Sequence, residues 1–443
     1  MHGAVRREDM GMANILDYMD WRGDLSFSES PFNEVDNLIL SELVFLDFTE
    51  AVPSGFSESV TLKEAILRLN TAREAAALTD AVLLPADILP LAEKCAESRR
   101  FGEIGLCGFQ SRTDTRCELQ FAAITFLLRD GTAFAAFRGT DDTLVGWKED
   151  FNMTFLPVVP SQAIASCYLS ELASVYALRL RVGGHSKGGN LAIYAAATLP
   201  TAVQGRVVEA YNNDGPGFSG AFLDSDGYLA IRDRVRIIVP DTSIIGMLLE
   251  HAGACTIVRS SKSGFRQHDG FSWEVRGNAF VTADDRTDES KFIDRTLKGW
   301  LTELNEADRE AFIDAVYGIL LSASAETLAE LRADREALRK ILRGFTPERR
   351  RVIRRMLIDL IAAGQRVRRA DRDEKREEKR VKRELTLAER RMRKKQRTDR
   401  AAEIRKRRTV WTAVHPIRFR FVTVAANAVH APQGKRKQPR EGC

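Results

Sequence analysis

The stretch LRLRVGGHSKGGNLAIYAA, residues 178–196, sets Ser186 between Gly184 and Gly188 in a GxSxG frame. A serine hydroxyl at the apex of a strand–turn–helix can attack a carbonyl carbon, provided a base takes its proton. Gly and Ser at three fixed positions would match by chance about 0.15 times in a chain of this length, so the flanks must decide. Leu178–Val182 reads as a strand and Asn190–Leu199 as a helix. Gly183, Gly184, Gly188 and Gly189 relieve the crowding of a sharp turn between them. The helix N-terminus then aims amide hydrogens and a positive dipole at the place where an oxyanion would form.

The base is sought among six histidines: His2, His185, His251, His268, His415 and His430. His2, His415 and His430 fall in the start and the basic tail. His185 adjoins the serine in the turn and is expected to pack beside it. His251 ends a segment read as a helix. His268 lies in a loop, KSGFRQHDGFSWEV, after the last expected strand, where a hydrolase base belongs, and it is preferred over His251. The orienting acid should come in the order Ser…Asp…His, at a strand end. Asp241 directly follows VRIIVP and is the first choice; Asp214, in YNNDGPGF, is the alternative. For the oxyanion, the Lys187 N–H would be one donor. Thr140, by backbone or hydroxyl, would be the other, from the loop of AFAAFRGTDDTLVGWKEDF, residues 133–151.

These residues need a sheet to carry them. Helices are expected at 35–48, at 61–80 (opened by Thr61 with Glu64 three places on) and at 86–99. Residues 102–140 read as three strands, with Asp130-Gly131 as a hairpin turn between the last two. From 161 the pattern alternates: helix 161–177, strand 178–183, helix 189–199 stopped by Pro200, strand 206–212, strand 233–240, helix 243–251 and strand 255–261. An antiparallel front followed by strand–helix alternation implies an α/β fold, a largely parallel sheet with helices on both faces. Residues 289–365 read as purely helical, with Thr346-Pro347 opening the last helix. The expected organisation is a disordered start at 1–11, an α/β-hydrolase domain at 12–288, a helical extension at 289–365 and a charged tail at 366–443.

Charge divides the chain in the same way. Of the net +5, residues 1–365 carry −12, residues 366–408 carry +12 and residues 409–443 carry +5. Residues 366–408 have almost no apolar stripe, which leaves a solvated helix or a disordered coil. Such a segment suits an anionic membrane surface or nucleic acid, or simple solubility. Six scattered cysteines without a CxxC suit reduced thiols in a cytosol. The first residues lack the apolar core of a signal peptide and no apolar run reaches ~18 residues. A cytoplasmic protein, at most peripheral to a membrane, is therefore expected. No metal-ligand spacing or phosphate-binding glycine loop stands out, so no cofactor is expected.

FRGT, with Trp147 and Asp150 after it, resembles the strand-and-loop signature of class 3 (fungal-type) lipases, and GGHSKGGNLA resembles their GHSLGG elbow. The set WRGDLSF, PFNEVDNLILSEL, FRGTDDTLVGWKEDF, GHSKGGNLAIYAA, YNNDGPGF, SIIGMLLEH and QHDGFSWEV is similar to a bacterial lipase-like family of unknown function, over roughly residues 12–365. The resemblance implies a Ser-Asp-His hydrolase fold, with Ser186, Asp241, His268 and Thr140 in the site. Lys187 departs from the leucine that lipases carry beside the nucleophile. A cation there suits an anionic substrate or a salt bridge such as one to Glu149 or Asp150; a solvated lysine at the helix start is slightly preferred. No long apolar lid is evident, so bulk triglyceride is not implied. The leading functional reading is a serine ester hydrolase acting on a small-molecule or lipid-like ester. The alternative is a catalytically weak or inactive hydrolase-fold protein serving as a binding or regulatory module, its basic tail contacting membrane or nucleic acid. No specific protein partner is implied.

Overall fold

Residues 12–75, 87–114, 116–140, 149, 152–153, 156–253, 255–301 and 347–414 are described in a computed structural model of the chain. An eight-stranded sheet runs in chain order: β1 (Val60–Thr61), β2 (Gly105–Asp114), β3 (Leu119–Leu127), β4 (Thr132–Phe137), β5 (Arg179–His185), β6 (Val207–Asn213), β7 (Val235–Pro240) and β8 (Cys255–Val258). β1 to β4 pair antiparallel and β4 to β8 parallel. The antiparallel half follows from turn chemistry: Gly131 takes φ +78°, and the Asp130 carboxylate accepts from the Thr132 N–H at 3.0 Å.

Chain order in the parallel half has a consequence for the helices. Right-handed crossovers between successive neighbours all leave the sheet on one side. The helices Pro160–Val175 and Lys187–Thr198 do so, and pack Ala165, Leu169, Leu172, Leu191 and Ala195 on Ala133, Ala135, Phe137, Val182 and Ala210. The other face is closed by N-terminal helices and by the chain after β8. Ile15, Tyr18, Leu38, Ile39, Leu43, Leu91 and Trp273 meet Ile124, Phe126, Phe134 and Ala136 there. β4 thus alternates Phe134 and Ala136 to one face, and Ala133, Ala135 and Phe137 to the other. Burial of both faces explains why its sequence, TAFAAF, is apolar almost throughout. The architecture is an α/β-hydrolase-like sheet with a further helical region at its C-terminal side.

The helix Glu34–Leu43 positions the site most closely from the N-terminal side. Asn33 caps it in a reciprocal box with Asp36, and every residue from Val35 to Leu43 is buried. Asp36 pairs at its base with the buried Arg100, whose Nε donates to Oδ1 at 2.7 Å. The helix expected at 61–80 is Leu62–Ala75, opened by the Glu64 N–H on Thr61 Oγ1; 76–80 lie outside the described residues.

One expected helix is corrected. SIIGMLLEH forms only a short 3-10 turn at Ile245–Met247, and Leu249 takes φ 64°. Gly246 lies against Asp214, where a Cβ would fall 2.3 Å from Oδ1, so the segment folds around that carboxylate instead of winding past it. Of the expected helical region 289–365, Asp288–Leu301 is a helix and another begins at Pro347; 302–346 lie outside the described residues. Gly364 packs near Phe292 and Thr296, and the Arg368 guanidinium lies 5.0 Å from the Phe292 ring centroid.

The chain divides into two compact units, Met1–Arg368 and Arg369–Cys443. The helix from Pro347 runs to Val414. Within the second unit the described side chains of this helix are nearly all exposed, and pairs such as Arg380–Glu377, Arg380–Glu384 and Arg407–Glu403 replace the missing apolar face. Among the described residues no helix is long and apolar enough to cross a membrane.

Candidate active site

Ser186 sits between β5 and the helix Lys187–Thr198, at φ 58° and ψ −133°. An L-residue held there stores on the order of 1–3 kcal/mol of backbone strain. The surrounding glycines allow the turn because strand and helix approach without side chains. A Cβ on Gly188 would fall 1.9 Å from the Phe137 carbonyl oxygen, and one on Gly184 would fall 2.3 Å from the Gly188 carbonyl carbon. The Ser186 N–H donates to Asn213 O at 2.9 Å, and its carbonyl accepts from the Gly189 N–H at 3.0 Å. The serine is half-buried between neighbours that are both buried.

His268 donates from Nδ1 to Oδ2 of Asp214 at 2.7 Å, in the tautomer a carboxylate partner selects. Asp214 is almost wholly buried, and its Oδ1 accepts from the Ser243 hydroxyl. It directly follows β6 with φ 51°, and its N–H donates to Ile238 O at 2.8 Å. Among the described residues four non-glycines take positive φ, and Ser186 and Asp214 are two of them. Asp241, the first-choice acid, goes elsewhere. Its carboxylate accepts from the Thr242 hydroxyl at 3.2 Å, and its main chain ties Val258 to Thr287. The acid facing His268 is therefore Asp214 and not Asp241, because β6 ends directly beside β5 while Asp241 lies one strand farther out. His251, the alternative base, bonds the Gly246 carbonyl through Nε2. It lines a cavity of about 360 Å³ with Met247, Leu249, Cys255, Ile257 and Arg286, a wall that contains none of Ser186, Asp214 and His268.

His185 does more than pack beside the turn. Its Nε2 lies 2.7 Å from the His268 carbonyl oxygen and its ring lies tilted by 35° against the His268 ring, centroids 4.6 Å apart. His268 is thereby held against the residue preceding Ser186. Burial, with His268 alongside, pushes the His185 pKa down to about 3. On the other side of the serine, a Cβ on Gly139 would fall 3.0 Å from Ser186 Cβ, so the loop carrying the half-buried Thr140 runs directly past it. Lys187 opens the helix, where first-turn amides have no intrahelical acceptor. Trp147 and Asp150 lie outside the described residues.

Lys187 is not the solvated lysine expected at a helix start. It is completely buried and turns inward, with Nζ donating to Glu149 Oε2 at 3.0 Å, Gln120 Oε1 at 2.5 Å and Gln120 O at 2.8 Å. Glu149 also accepts from the N–H groups of Ser161 and Gln120. The cation is thus neutralised inside the protein, which removes the argument for an anionic substrate at this position.

Several residues of this neighbourhood were given no role by the sequence, although they lie within PFNEVDNLILSEL and YNNDGPGF. Asn213 donates to Gly184 O at 3.1 Å and exchanges hydrogen bonds with Asn37, tying β6 to β5 and to the Glu34–Leu43 helix. Glu42, from the same helix, lies almost wholly buried near His185. Polar residues on an otherwise apolar helix, VDNLILSEL, were the available clue. Among the described residues no group of three or more His, Cys, Asp or Glu side chains could hold a metal ion.

No curated protein and no solved structure matches the chain. A family model described as Mbeg1-like matches residues 95–318, a span holding β2 to β8, Ser186, Asp214 and His268. With half of its length matched, and with an α/β-hydrolase-like sheet beneath the match, the chain belongs to the Mbeg1-like family.

Proposed function

We propose that the protein is a serine hydrolase cleaving a carboxylic or lipid-like ester through an acyl-enzyme on Ser186. His268 Nε2 takes the Ser186 proton as Oγ attacks the carbonyl carbon, then delivers it to the departing alkoxide. Water repeats the sequence in reverse and frees the acid. Asp214, rather than Asp241, holds the His268 tautomer and stabilises the imidazolium. The Lys187 N–H, with Thr140 as second donor, would receive the oxyanion, each donor contributing about 3–4 kcal/mol in comparable sites. The observation that carries this reading is the 2.7 Å His268–Asp214 hydrogen bond beside a serine at positive φ. Labelling of the full chain by a fluorophosphonate tests it: the wild type is expected to react, and Ser186→Ala and His268→Ala to lose the label. A folded, unlabelled wild type would sink the reading.

For the unit Arg369–Cys443 the proposed partner is nucleic acid. Between residues 390 and 408 the helix carries eleven Lys and Arg against two Asp and Glu. At 100° per residue these charges spread round the whole circumference and leave no apolar face for a bilayer. Affinity for a 30-base-pair duplex, read by anisotropy, is expected to fall steeply between 50 and 200 mM salt. Replacing Arg390, Arg391, Arg393, Lys394 and Lys395 by Gln should flatten that dependence. Tighter binding to anionic vesicles than to the duplex would overturn the assignment.

A further inference from the structure

Glu42 is a buried carboxyl group that the proposed reaction does not use. It is almost wholly buried on the Glu34–Leu43 helix, and its Oε1 has no hydrogen-bond partner. An orphan carboxyl oxygen costs on the order of 1–3 kcal/mol or more, so its position calls for a reason. Oε1 lies 3.6 Å from His185 Nδ1. It also faces Gly270, where a Cβ would fall 2.6 Å away, so a larger residue there would displace it.

The other side of His185 fixes its protonation. A carbonyl oxygen only accepts, so the 2.7 Å contact with His268 O requires a proton on Nε2. A neutral ring then presents Nδ1 as an acceptor, and burial keeps this ring neutral, with its pKa pushed down to about 3. The Glu42 carboxyl is pushed well above the usual carboxylate range, by its burial first and by the Asp269 carboxylate second. The charged and titratable groups around the pair are Asp269 and His268 on the following segment, Lys262 paired to Asp269, and Asp214 beyond His268.

We infer that Glu42, as a neutral carboxylic acid, donates from its carboxyl oxygen to Nδ1 of His185 and so fixes the tautomer whose Nε2–H holds the His268 main chain. Closing 3.6 Å to a hydrogen bond takes a side-chain movement of under about 1 Å. Glu42 and His185 are positioning residues. His268 is then held twice: by its ring, on Asp214, and by its carbonyl, on His185. The inference rests on the reading of His268 as the base, but the hydrogen-bond relay can be tested without catalysis.

The test uses the full-length protein with ¹⁵N-labelled histidine, His185→Gln supplying the assignment, together with fluorophosphonate inactivation and ester turnover. In wild type, His185 is expected as the neutral Nε2–H tautomer from pH 5 to 9. Glu42→Gln offers Nδ1 an amide N–H in place of the acid O–H. It should keep that tautomer, with kcat within about threefold. Glu42→Leu leaves Nδ1 unpaired. It should mix the tautomers and lower kcat by about 10–100-fold with KM within about twofold, the scale of a misplaced base. The inference is overturned by an imidazolium signature for His185 in wild type that disappears in Glu42→Gln, which would make the pair an ion pair. It is equally overturned by a Glu42→Leu protein with unchanged tautomer and kcat. A wild type that keeps the tautomer but never labels defeats the catalytic reading and leaves the relay standing.

Discussion

Replacing Lys187 by leucine, the residue lipases carry at that place, removes the cation of a pair in which both side chains are completely buried. Breaking a buried pair by deleting one partner costs about 3–5 kcal/mol, because the remaining charge keeps its desolvation penalty. Glu149 here retains the Ser161 N–H at 2.8 Å and the Gln120 N–H at 3.0 Å, which places the expected loss near the lower end, about 3 kcal/mol. At about 2–4 °C per kcal/mol for a domain of 150–250 residues, Tm should fall by about 6–12 °C. Adding Glu149→Gln removes the stranded charge, so the double variant should recover all but about 1 kcal/mol. Urea denaturation followed by tryptophan fluorescence, with thermal melts beside it, measures both. A single variant losing under about 1 kcal/mol, or a double variant no better than the single, would refute the reasoning. Either result would mean that the lysine finds its charge partner in solvent, the arrangement its place at a helix start suggests.

Exchange of the acid separates the two aspartates: Asp214→Asn should slow fluorophosphonate inactivation by about 10³–10⁴-fold, while Asp241→Asn stays within about threefold. In the elbow, Gly188→Ala drives a methyl group onto the Phe137 carbonyl and should cost upward of about 3 kcal/mol in urea melts. Ser186→Gly relieves a positive φ and should stabilise by about 1 kcal/mol. The pair behind His268 shapes stability against pH. The depressed His185 pKa means that the unfolded chain binds the extra proton, so stability is lost as pH falls from 6.5 towards about 3. The raised Glu42 pKa acts oppositely: the folded chain keeps the proton, so stability is lost as pH rises above 4.5 towards the folded pKa. The two slopes oppose one another between 4.5 and 6.5. Glu42→Gln should abolish the loss on the alkaline side, and denaturant melts across pH 4–9 that show the same alkaline slope in wild type and variant would contradict this.

Local signals placed most of the scaffold. Alternating apolar residues with Asp130-Gly131 between them built the β3–β4 hairpin, and the glycines around Ser186 marked the close approach of β5 to the helix after it. These features are legible because each depends on the conformation of a few neighbouring residues. SIIGMLLEH misled for the converse reason. Its apolar spacing suits a helix, yet Gly246 must leave room for a carboxylate that arrives from β6, more than thirty residues away.

The sequence by itself determined that a serine would sit at a sharp strand-to-helix turn in an α/β sheet, and that a histidine and aspartates would follow it. Which aspartate meets His268 was decided only in three dimensions. Asp214 and Asp241 both follow parallel strands and both end at the same sheet edge, so chain order cannot rank them. The positive φ of Asp214, the space left by Gly246 and the adjacency of β6 to β5 do. The tertiary structure likewise turned Lys187 from a surface charge into a buried one and brought Glu42 beside His185. The energy of a buried polar group depends on partners that arrive from distant segments, and no local pattern records which partners those will be.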